Sequence, residues 1–225
     1  MSIQLHPGIL EFLEQLKENN NRAWFNAHKS TFTTVEKQVK EVYEHLLELL
    51  RTHDDIDRLK MFRIYRDVRF SNDKTPYKTH FGGSFHRTKP RLRGGYYLHI
   101  TPGETFIAAG FWEPNKDDLL RMRKEFEMDD APLRNIMSDP GFKKVWGDLK
   151  GDAVKTAPKG FSKDHPAIDL IQKKQYIFIK NFTDREAVSP CFLHTVKDAF
   201  KAIRPYFDYM SEVLTTDLNG VSLID

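Results

Sequence analysis

The stretch "GGYYLHITPGETFIAAGFW", residues 94–112, decides the fold class. Two runs rich in aromatic and β-branched residues, 94–100 and 104–112, flank the turn residues Thr101, Pro102 and Gly103. Such runs bounded by Pro and Gly read as strands, and so short a connection makes them antiparallel neighbours. Upstream, "FGGSF" (81–85) has the same character. Earlier still, "MFRIYRDVRF" (61–70) alternates with a period of two. Phe62, Ile64, Val68 and Phe70 lie on one face, interrupted by Arg66, while Arg63, Tyr65, Asp67 and Arg69 lie on the other. That alternation predicts a strand with one buried face. "QYIFIKNF" (175–182) reads as a late strand. Together these runs predict an antiparallel meander.

Helical periodicity surrounds it. Ile9, Phe12, Leu13 and Leu16 form one stripe after Pro7, a residue suited to a helix start. Phe32, Val35, Val39, Val42, Tyr43, Leu46, Leu47 and Leu50 keep i, i+3, i+4 spacing and predict a long amphipathic helix over 30–52. It is expected to cover one face of the meander. Between the two stripes, "NNNRAWFNAHKSTF" (19–32) reads as a polar break, and "HDDIDR" (53–58) as the polar end of the long helix. Asn115 is a good N-cap, with Asp117 and Asp118 in the first turn after it. Shorter helices are expected at 131–138, at 141–149 closed by Gly151, and near 166–173. A last helix begins with Ser189 as cap and Pro190 at its first position, and Pro205 kinks or splits it. No repeat and no domain linker is visible. The expectation is a single α+β domain over 1–225, a mainly antiparallel sheet with helices packed around it.

The chain has 225 residues, 40% of them hydrophobic and 30% charged, enough to bury a sizeable core. One cysteine, Cys191, rules out an intrachain disulfide. No apolar run approaches the roughly 20 residues that span a bilayer, and "MSIQLHPGIL" lacks the pattern of a secretory signal. The chain is therefore read as cytoplasmic, with no membrane partner. Net charge is only +3, but from Lys60 to Arg93 ten Lys/Arg face only Asp67 and Asp73. The remaining residues carry 25 basic and 30 acidic side chains, so positive charge is concentrated in one segment.

Several stretches are distinctive beyond their periodicity: "RDVRFSNDKTPYKTHFG" (66–82), "GGYYLHITPG" (94–103), "AAGFWEP" (108–114) and "APKGFSKDHP" (157–166), with "NNNRAWF" (19–25) ahead of them. In these the chain resembles, over nearly its whole length, the uncharacterised family catalogued as domain of unknown function 2461. The resemblance implies a single-domain protein of bacterial or fungal type and implies no activity. It directs attention to Arg66–Gly82 and to Lys159.

On the predicted buried face Arg66 needs an acceptor, because a guanidinium does not shed its charge. Asp73 can pair with it, or the strand bends and Arg66 lines a cleft. In the following loop, marked by Asn72, Asp73 and Pro76, Lys74 and Lys78 offer point charges, Arg69 a bidentate fork, and Tyr77 and His80 neutral donors. Gly82 and Gly83 would admit a phosphate close to backbone N–H groups. Lys159 sits on a Pro/Gly loop leading into a helix. The expected anion-binding set is Arg66, Arg69, Lys74, Tyr77, Lys78, His80 and Lys159, and the plainer reading is a solvated hairpin tip. His80 and His99 are the candidates for proton transfer, against the reading of satisfied sheet histidines.

Metal ligation is not indicated, since the nine histidines show no HxxxH spacing and one cysteine builds no zinc site. No phosphate loop or nucleophile elbow is present, and no cofactor is implied. Cys191 is set aside as a small apolar residue near a helix start. The leading expectation is an anionic, phosphate-bearing small molecule in a basic cleft, with or without catalysis. Two alternatives use the same loop: a single-stranded nucleic-acid module stacking on Phe70, Tyr77, Phe81 and Phe85, and a module docking an acidic protein.

Overall fold

Prolines, caps and apolar stripes start and stop most elements where the sequence places them. In the computed structural model, which describes residues 3–224, α1 spans Pro7–Glu18, α2 Arg22–Ala27 and α3 Lys29–Arg51. Strands β1 (Ile56–Met61), β2 (Phe81–Arg87), β3 (Gly95–Ile100) and β4 (Thr105–Phe111) follow. Next come α4 (Lys116–Met128), α5 (Ala131–Ser138), α6 (Pro140–Trp146) and α7 (Ile168–Ile171). Strand β5 (Tyr176–Phe182), α8 (Asp184–Ala187), α9 (Phe192–Ala202) and α10 (Arg204–Thr215) complete the described chain. The five strands form one antiparallel sheet in the order β1-β2-β3-β4-β5, so the fold is α+β. Asn115 caps α4 by accepting from the backbone N–H groups of Asp117 and Asp118, and the break at Pro205 separates α9 from α10.

Three local expectations are corrected. The segment 61–70 is not a regular strand. The strand lies earlier, at Ile56–Met61, and includes part of the "HDDIDR" stretch read as a helix end. Residues 62–80 make an irregular excursion with fragments of pairing: Phe62 N–H donates to Gly82 C=O (2.9 Å), Lys78 N–H to Ile64 C=O (2.7 Å) and Arg66 N–H to Pro76 C=O (2.9 Å). Pro76 has no N–H to offer a ladder, and the Asp73 carboxylate takes the Thr75 N–H at 2.9 Å, so local bonds replace pairing. The third correction is α2, which forms inside the polar break because the Asn21 side chain accepts from the Trp24 N–H at 3.0 Å and starts a turn.

The chain divides into two compact units. The first takes in the residues up to Phe85, Tyr97–Ile107 and Asn181–Asp198. Its core is α3, whose Phe32, Val35, Val39, Val42, Tyr43, Leu46 and Leu50 are buried, together with the apolar stripe of α1. The Tyr43 hydroxyl donates to Leu98 C=O at 2.8 Å, so α3 lies over the face of the strands that carries Phe85 and Leu98. The space above Gly83 is filled by the Tyr43 ring. A β-carbon there would lie 2.6 Å from Tyr43 Cε1. The opposite face carries Tyr97, His99 and Phe106, all half-buried.

The second unit comprises His86–Tyr96, Ala108–Lys180 and the chain from Ala199 onward. Its core is aromatic: Tyr96 packs against Phe200 and Phe207, and Phe178 against Phe142 and Tyr206. The Trp146 indole donates to Ala199 C=O at 3.1 Å. Arg87 is buried here, donating to Arg93 C=O at 2.8 Å and to the Ser211 hydroxyl at 3.2 Å, with its guanidinium 4.8 Å from the Phe207 ring centre. Among the described residues no helix is long and apolar enough to cross a membrane.

Candidate functional site

The basic excursion 62–80 belongs to the first unit and sorts its cations into two kinds. Arg66 is bonded to the Asp73 carboxylate and the Thr75 hydroxyl. Asp73, seven positions along, is the partner the sequence offered, and the pair removes Arg66 from the pool of free charge. The Thr75 N–H and then Arg66 hold the Asp73 carboxyl down at about 2. Arg69 donates to Asp67 through Nε (2.9 Å) and Nη2 (2.6 Å), which lowers the Asp67 pKa. Lys74 donates to Val68 C=O at 3.0 Å. Tyr77 is buried, its ring stacked on Phe25 with centres 3.9 Å apart, and its backbone N–H and C=O both bond the Asn20 side chain. These four side chains hold the loop together.

Lys78 differs. Among the described residues it has no carboxylate partner, and its ammonium lies 5.5 Å from the centre of the Phe62 ring. Lys60 approaches the same ring at 5.6 Å, and it too has no ion pair among the described residues. Arg63 also lacks one, and lies near enough that its charge, after burial, helps lower the Lys78 pKa. Two of these cations flank one exposed ring, and the third, Arg63, lies near Lys78. Two residues along from Lys78, His80 reaches the open sheet face, where its ring centre is 4.2 Å from that of His99. The backbone there is tied across the sheet by the Thr101 hydroxyl, which donates to Thr79 C=O at 2.9 Å.

His99 is held from the other side. Its Nδ1 lies 2.9 Å from the Tyr97 hydroxyl, and its ring stacks on Phe106 with centres 4.6 Å apart. Alternation on β3 puts Tyr97 and His99 on one face, and Gly82 on the next strand leaves room for the phenol. A β-carbon at Gly82 would sit 2.5 Å from the Tyr97 oxygen. Gly82 and Gly83 therefore make room for two tyrosines of the first unit, a different task from approaching a phosphate. Burial, then the nearby Lys78 charge, pushes the His80 pKa down. Burial, then His80, pushes His99 down to about 4, and burial raises Tyr97. At neutral pH the group is two neutral imidazoles and a protonated phenol beside unpaired cations. A phenol donating to Nδ1 leaves the His99 proton on Nε2.

A family model described as a conserved hypothetical protein, DUF2461, matches residues 8–209. The chain belongs to that family. No curated protein matches it. The match takes in both the basic excursion and the Tyr97–His99 face of this family member.

Of the expected set, Lys78 and His80 come together with His99. Arg66, Arg69, Lys74 and Tyr77 are engaged within the first unit, while Lys159 is an exposed loop residue of the second unit. Lys60, Arg63 and Tyr97 were not in the set. Tyr97 was legible as the residue sharing a strand face with His99, and Arg63 as an exposed position of the alternating run. Among the described residues no three His, Cys, Asp or Glu side chains gather as a metal-holding group. Beside Phe62 and Arg63, a groove of about 370 Å³ opens against α3, with Thr33, Glu36, Lys37 and Lys40 also on its walls.

Proposed function

We propose that the protein binds a small anionic ligand, of the phosphate-bearing class, over Lys60, Arg63 and Lys78, with the His80–His99–Tyr97 group at its edge. One observation carries this reading: these three cations are without carboxylate partners among the described residues, although Arg66 and Arg69 of the same segment each have one. Like charges held close together repel, and an anion relieves that repulsion. The neighbouring groove, which shares Arg63 and Phe62 with this set but has neither Lys60 nor Lys78 on its walls, is of a size that admits a small molecule. Neutral histidines then serve the ligand in one of two ways. They donate N–H bonds to it, or they take up a proton as its negative charge raises their pKa, which is the starting state for general acid–base chemistry.

The test is a thermal-shift panel of inorganic phosphate, sulfate, nucleotides and sugar phosphates on wild type and Lys78→Ala. A ligand that binds only the folded state raises the melting temperature by mass action. The expected result is a rise with a phosphate-bearing compound that Lys78→Ala loses while its own unliganded melting temperature stays near wild type. Equal shifts in the two proteins overturn the assignment of this site.

A further inference from the structure

Three large aromatic side chains of the first unit reach solvent along one short stretch: Phe70 is 95% exposed, while Phe62 (37%) and Tyr65 (48%) show one side and pack the other on Tyr97 and on Phe25 and Tyr77, respectively. The aromatics expected to form a stacking surface, Tyr77, Phe81 and Phe85, are instead buried in the core. Phe70 alone of the expected four is free in solvent, and it has two exposed neighbours along the chain. Each of the three exposed rings has a cation beside it. Lys60 and Lys78 flank Phe62, and the Arg69 guanidinium lies 5.9 Å from the centre of Phe70. Lys29 lies 5.5 Å from the centre of Tyr65 and donates to its hydroxyl at 2.8 Å.

We propose that residues 60–78 form a stacking surface for single-stranded nucleic acid. The inference rests on the anion-binding reading for its cations and adds the rings. Every base offers a π-face and every nucleotide a phosphate, so exposed rings with cations beside them, Lys60 and Lys78 among these without a carboxylate partner among the described residues, match a single strand without regard to sequence. A duplex hides its base faces in the stack and presents only edges and phosphates, so the rings have nothing to engage there.

Fluorescence anisotropy tests this with a 5′-labelled oligothymidine of about 12 nucleotides, its duplex with oligoadenosine, and inorganic polyphosphate as a charge-only competitor. The expected result is that the single strand binds more tightly than the duplex. Phe70→Ala, which removes a ring that packs on nothing in the core, is expected to weaken binding about fivefold or more without changing the slope of log affinity against log salt. Lys78→Ala is expected to flatten that slope by about 0.7. Wild-type affinity in Phe70→Ala and Phe62→Ala alike, or displacement by polyphosphate together with equal binding of the duplex, overturns the stacking surface. The same protein is tested in parallel for a thermal shift with inorganic phosphate. A phosphate shift without oligonucleotide binding overturns this inference and leaves the anion site standing; failure of both overturns both.

Discussion

Arg87 and Lys78 stand nine residues apart in the same basic stretch and have opposite fates. Arg87 is sealed in the second unit, where a carbonyl, a hydroxyl, the Asp208 carboxylate at 3.6 Å and the face of Phe207 answer its guanidinium. Lys78 in the first unit has an aromatic ring and a neighbouring like charge. Burying a cation is costly unless its hydrogen-bonding groups are met, so the first arrangement is what a fold requires of a buried arginine. The second leaves a charge without a carboxylate partner among the described residues. Local positive charge is therefore a poor guide to a site until each cation has been matched with its partner.

That contrast is sharpened most strongly by Arg87→Ala. It removes a buried side chain packed on Phe207 and leaves the Arg93 carbonyl without its bond, while Ser211 keeps the Arg93 N–H at 3.0 Å, and a loss of about 3 kcal/mol is expected in urea unfolding. Gly82→Ala comes next. Its added β-carbon drives the Tyr97 hydroxyl away from His99, at an expected cost of about 2 kcal/mol, and the histidine NMR signals should move with it.

A third test uses pH. His99 titrates at about 4 in the fold against 6.5 when unperturbed, so the unfolded chain binds more protons between those values. Its contribution to stability is present above pH 6.5 and lost as pH falls through that window. His99→Gln should show a shallower loss of melting temperature from pH 6.5 to 4 than wild type does; identical profiles would mean that His99 is not held neutral by its surroundings. The smallest effect is expected at Lys78→Ala, within about 0.5 kcal/mol of wild type in urea, because this half-buried lysine has no carboxylate partner among the described residues and meets only the partly exposed Phe62 ring. If Lys78→Ala costs as much as Arg87→Ala, the distinction between the two regions collapses.

Much of the candidate site could be read from the sequence, but only in outline. His80 and His99 were paired as proton-transfer candidates on the strength of strand alternation and the loop's proximity. Asp73 was named as a partner for Arg66 because a guanidinium near a buried face must find one. The run 61–70 alternates like a strand but pairs only in fragments, whereas the segment marked by Asn72, Asp73 and Pro76 is a loop, held by the Asp73 side chain. The short α2 was missed because six residues carry too little periodicity to outweigh three consecutive asparagines, though Asn21 is the cap that starts it.

What the sequence determined by itself is local: the stripes of α1 and α3, the turn at Thr101–Gly103, the Asn115 cap and the break at Pro205. Each depends on residues within a few positions of one another, where propensity and capping act. The fate of each cation depended on tertiary structure. Arg87 meets Ser211 from 124 positions away, and the Tyr97 phenol fits only because a glycine stands opposite it on the neighbouring strand. Charge compensation and cross-strand room are properties of neighbours brought together by folding, so sequence could place the basic segment but not separate its structural cations from its free ones.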